Sequence, residues 1–200
     1  SKNRKLFNKI NFFSLFFLSD SEKTKIKSEI VFQIENYIKL YKPKTLKIDG
    51  HQHVHMVPWI FKFLLKIKKK YKIDEIRISN ESFQIPELID FINVKYYRNI
   101  IAMLLLKFLS YLINKRSTNS PEFSGIIYSG IQNKKTIIKT IRFLKNKALK
   151  DFEILVHPGF TNSKEKKKFK KEFYVYYNST NRMIEYNLCF SKKIKKELKF

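Results

Sequence analysis

Short apolar runs ending in turn residues alternate along this chain with longer stretches whose apolar residues recur every three or four positions. Thr45–Ile48 runs into Asp49-Gly50, Glu75–Ser79 alternates polar with apolar, and Phe152–Val156 ends at His157-Pro158-Gly159. Helical patterns separate these runs. Neighbouring parallel strands need a crossover of about a dozen residues or more, so strand–helix–strand order predicts a parallel α/β sheet or barrel.

The helices carry their own punctuation. Ser19 is placed to cap a helix and Glu22 to reach back to it, ahead of Ile26, Ile30, Ile34 and Ile38 at four-residue spacing. Pro43 stops that helix and Pro58 opens the next, with Trp59, Phe63 and Ile67 as its apolar line. Further helices are predicted over Val94–Asn114, Asn133–Lys147 and Asn181–Leu198. Pro121–Gly130 reads as a loop with a short strand at Gly125–Tyr128, and Thr161–Lys171 as a charged surface loop.

At 200 residues, 44% hydrophobic and 16% aromatic, the chain builds a core, and the expectation is one domain over residues 1–200. Four Gly and five Pro exclude collagen-like and low-complexity classes. The single cysteine, Cys189, excludes an internal disulfide and a cysteine-based zinc site; it fits a reducing compartment, and a cytoplasmic location is expected. Phe12–Leu18 is too short to span a membrane. Lys107 interrupts Ile100–Ile113, which reads as a half-buried helix in preference to one lying on a membrane surface.

The charge is +25, from 42 Lys+Arg against 17 Asp+Glu. Nucleic-acid binding is the obvious reading and the weaker one. Six of the 42 are arginines, the residue suited to phosphate forks and base edges, and the basic residues are dispersed. A solvated surface with no specific nucleic-acid partner is expected.

The four histidines lie in two places. His51, His53 and His55 follow the first strand and His157 follows the third; Arg77 lies near the end of the second. In parallel α/β folds the loops after strand C-termini build the pocket, so these residues are expected on the functional face. On extended backbone, residues i, i+2 and i+4 point to one side, where two imidazoles can reach one divalent ion. Asp49, two positions before His51, is placed to ligate or orient.

Lys47-Ile-Asp49-Gly-His51-Gln-His53-Val-His55-Met-x-Pro58 resembles the signature of the YdjC-like (ChbG-type) carbohydrate deacetylases. Ile76-Arg77-Ile, Phe123-Ser-Gly125-Ile, Glu153-Ile-Leu-Val-His157-Pro-Gly159-Phe and the closing Arg182-x-x-Glu185 resemble the family in the same order. The resemblance implies a distorted TIM-like α/β barrel of the glycoside hydrolase/deacetylase type. It implies hydrolysis of an N-acetyl group on an amino-sugar oligosaccharide with a divalent metal ion, Mg2+ or Zn2+. By motif position His51 is the metal ligand and His157 the acid that protonates the departing amine. Asp49, His53, His55 and Arg77 are carried over as substrate-binding, pocket-lining residues.

The departure is as specific as the match. The family opens with a strand ending in Asp-Asp-Phe-Gly, followed by Gly-x-His. These 200 residues hold no adjacent pair of aspartates and no histidine before His51. The expectation is a family member lacking its first strands and impaired as an isolated chain, because an ion with fewer ligands is held poorly. A homo-oligomer is one expected assembly, and a partner chain supplying the N-terminal part is the other. A non-catalytic sugar- or metal-binding remnant is the alternative.

Overall fold

The computed structural model describes residues 11–113, 120–147, 151–160 and 179–199. The loop expected at Thr161–Lys171 lies outside them. The chain divides into two compact units, Ser1–Ser79 with Phe108–Ser120, and Asn80–Lys107 with Pro121–Phe200.

In the first unit, α1 (Asp20–Tyr41) begins as the sequence predicts: Ser19 Oγ accepts the Glu22 amide at 3.3 Å and Glu22 Oε2 accepts the Ser19 amide at 2.9 Å. Ile26 and Ile34 are buried. The helix closes at Lys42 in a left-handed conformation, one residue before Pro43. Strand β1 (Leu46–Ile48) leads through a 3-10 segment (His51–Met56) into α2 (Pro58–Ile67) and then β2 (Ile73–Ile76), which pairs parallel to β1. The deeply buried row of α2 is Ile60, Phe61 and Leu64, whereas Trp59, Phe63 and Ile67 are half-buried. Because α2 is apolar nearly all round, a four-residue line can be drawn on more than one face. Strand β2 also stops short of the expected Ser79. Its partner ends at Ile48, whose carbonyl takes the Arg77 amide at 3.0 Å, and the Ile78 amide turns to Ser120 Oγ at 2.8 Å.

Helix α3 (Val94–Leu112) runs through residues of both units. In the second unit β3 (Glu122–Ser124) pairs parallel with β4 (Phe152–Ile154) across α4 (Lys134–Asn146). Asn133 caps α4, accepting the amides of Lys135 and Thr136, and Ile137, Ile138, Ile141 and Leu144 are buried as expected.

The strand expected at Gly125–Tyr128 is a turn, and β3 lies just before it. Glu81 explains the shift: its buried carboxylate accepts the amides of Gly125, Ile126 and Ile127 at 2.7–2.9 Å and the Ser124 hydroxyl at 2.5 Å. Those amides need no strand neighbour. Gly125 holds φ +115°, and a Cβ there would lie 2.6 Å from the Leu155 carbonyl oxygen.

The closing helix is two, α5 (Thr180–Cys189) and α6 (Lys192–Leu198). Leu188 and Ile194 both join Ile137, Ile138 and Ile141 in one apolar cluster, against which Phe152, Ile154 and Val156 pack. Six residues apart, they would point about 120° away from each other on a straight helix, so the break lets both reach it.

The parallel α/β character is as expected. Among the described residues the strands form two separate parallel pairs, and no closed barrel is present.

Candidate active site

Gly50 leads from β1 into the histidine segment, which is not extended. Gln52 and His53 both adopt left-handed backbone angles (φ 52° and 58°) inside a 3-10 turn, so the three rings do not share one side as strand residues would. This corrects the extended reading, and each histidine has a different environment.

His55 is buried. Its Nδ1 accepts the Gly50 amide at 2.8 Å, which places the proton on Nε2, and Nε2 donates to the Arg77 carbonyl at 2.9 Å. Burial holds its pKa below the ordinary imidazole value, while Asp49, with Oδ1 3.7 Å from Nδ1, pulls the other way. A Cβ on residue 50 would sit 2.9 Å from His55 Nδ1, so glycine lets the amide reach the ring. Both ring nitrogens therefore tie the end of β1 to the residue after β2. The ring of His55 thereby holds the loop after β1 against the backbone that follows β2.

His53 is half-buried, with Nδ1 2.7 Å from Ser79 Oγ. Arg77 pairs through its guanidinium with Asp49 Oδ2. His51 is exposed, and its ring makes no hydrogen bond among the described residues. It is the imidazole of the three best placed to take an external ligand. No group of three His, Cys, Asp or Glu side chains able to hold a metal ion is found among the described residues. With His55 engaged at both nitrogens and Asp49 on Arg77, these residues do not by themselves complete a divalent-ion site.

In the second unit β4 delivers His157 into a turn gripped from α5. Glu185, fully buried, accepts the His157 amide with Oε2, and the same oxygen lies 3.9 Å from His157 Nδ1. Burial pushes the Glu185 carboxyl above its ordinary pKa, opposed by that amide; Oε1 has no hydrogen-bond partner among the described residues. Arg182, one turn earlier on the same helix, donates from its guanidinium to the carbonyls of His157 and Pro158 at 3.4 and 3.2 Å, and its backbone carbonyl accepts the Gly159 amide at 3.0 Å. The half-buried imidazole thus sits on a backbone fixed by two charged side chains.

Sequence reasoning gave Arg182 and Glu185 no role beyond resemblance. The available signal was their i, i+3 spacing and an arginine within a lysine-dominated chain. Glu81 left no such signal, since nothing local to it announces three amides more than forty residues away.

The sequence model of the family described as YdjC-like protein matches residues 2–199. Searches of curated proteins and of solved structures returned no match. A match over nearly the whole chain places it: the protein belongs to the YdjC-like family, which is associated with carbohydrate deacetylase-type proteins.

Proposed function

We infer that the protein is a hydrolase of the carbohydrate N-deacetylase type, acting on the N-acetyl group of an amino-sugar oligosaccharide. The observation that carries this reading is the family match across residues 2–199, which includes His51 and His157. In this reading the chain's parallel α/β pairs belong to a barrel of the deacetylase kind.

His157 is the acid. An amine leaves an amide-derived tetrahedral centre only when protonated, and a histidinium supplies that proton near neutral pH. Its anchoring through Glu185 and Arg182 supports the role, because a proton donor must be held in position. His51, exposed and two residues after Asp49, is the ligand for the divalent ion that the family's chemistry uses; bound there, the ion would act as a Lewis acid. Arg77, Asp49 and His53 are assigned to the adjoining surface that meets the sugar. These 200 residues contain no paired aspartates to act as general base, so the isolated chain is a weak catalyst.

The absence of a three-ligand group among the described residues favours a second reading, a remnant that binds sugar without turnover. Acetate release from an acetylated chitooligosaccharide with added Mg2+ or Zn2+ separates the two. Slow, metal-dependent release abolished by His51→Ala and by His157→Ala supports the deacetylase. Sugar binding with no release supports the remnant. Robust turnover overturns the impairment, and release indifferent to both substitutions overturns the assignment of residues.

A further inference from the structure

Helix α3 carries two apolar faces. Tyr96, Met103, Leu106 and Leu109 are buried with Asn99 and Ser110 on one side. On the other, Val94, Tyr97, Ile101, Leu104, Phe108 and Tyr111 follow one another at alternating spacings of three and four and are 48–84% exposed. On an ideal helix these six fall within an arc of about 100°. Arg98 and Lys107 stand about 90° to either side of its centre. The helix contains three cations, Lys95, Arg98 and Lys107, and no acid.

We propose that α3 docks the protein on an anionic lipid surface, with the Val94–Tyr111 stripe seated at the headgroup boundary. Charge selects this occupant. A second copy would bring another chain of +25 and no carboxylate on α3, so self-pairing through this face is opposed. An anionic bilayer offers both apolar depth and negative headgroups. Tyrosine suits that boundary, and the long cationic side chain of Arg98 at the margin of the stripe extends its charge to the headgroups. The helix lies on the surface and does not cross it: no described helix is long and apolar enough to span a membrane. The inference is independent of the deacetylase reading.

Co-sedimentation with vesicles tests it. The native chain is expected to bind phosphatidylcholine vesicles containing phosphatidylglycerol and to leave pure phosphatidylcholine vesicles largely unbound. The pair Ile101→Glu and Leu104→Glu is expected to lower the bound fraction about tenfold. The uncharged pair Ile101→Gln and Leu104→Gln should lower it severalfold, which separates lost apolar contact from added charge. Phe32→Glu with Leu40→Glu makes the same charge change at exposed residues of α1 and should stay within about twofold of native. Equal losses for the α1 and α3 pairs would reduce the effect to general attraction by a +25 chain and overturn the proposal. So would failure to bind the anionic vesicles, or a solution dimer that the α3 substitutions split.

Discussion

His55 has two protein partners and almost no solvent, so its removal is felt by the loop before it is felt by any ligand. His55→Ala should destabilise the protein by about 3 kcal/mol, combining two lost hydrogen bonds with a cavity. His51→Ala, at an exposed ring, should stay within about 0.5 kcal/mol. Denaturant midpoints of the two variants check this. The pH dependence follows from the depressed pKa. As pH falls through the ordinary value of 6.5, the unfolded chain takes up the proton more readily than the folded one. The contribution is therefore full above 6.5 and lost below it. Thermal midpoints should fall from about pH 7 to about pH 5, and fall less without an imidazole at 55. Glu185 acts in the opposite sense: its raised pKa gives stability below its ordinary value that is lost as pH rises through the folded one. Comparing native with the position-55 variant removes that opposing trend. At this scale the sequence displayed the histidines and concealed their conformation. Positive φ at Gln52 and His53 occurs without glycine or asparagine, so no residue type announced the turn.

Helices that announce themselves through caps and one-sided apolar rows were legible; strands that depend on distant partners were less so. Asn133 and the Ile137–Leu144 row located α4 almost to the residue. Asn133→Ala removes the acceptor for two amides and should cost about 1 kcal/mol. Ile141, fully buried in the cluster shared by α4, α5 and α6, should cost about 3 kcal/mol as Ile141→Ala. Equilibrium unfolding of both variants tests the ranking. The break between α5 and α6 was hidden because periodicity within Asn181–Leu198 describes faces of a straight rod. The bend serves Leu188 and Ile194 reaching one cluster, which is a tertiary demand. Strand β3 was misplaced for a similar reason: Glu81 decides where the Gly125 turn sits, from a position no local window includes.

At the scale of the whole molecule, strand–helix alternation foretold parallel strands in a sheet or barrel, and the described residues carry two separate parallel pairs, each with its own crossover helix. It could not foretell which strands would join beyond that, because periodicity reports the face of a segment and not its neighbour. The histidine segment and the His157 turn identified the family that the match over residues 2–199 establishes. The chemistry assigned to them rests on His51 being the ring that meets a cation, since His55 is fully engaged and Asp49 is paired with Arg77. The direct measurement is a calorimetric titration of Zn2+ into the native chain and into His51→Ala. The account predicts weak binding at one site, weakened at least about tenfold by the substitution. Tight binding, or binding unchanged in His51→Ala, would contradict it.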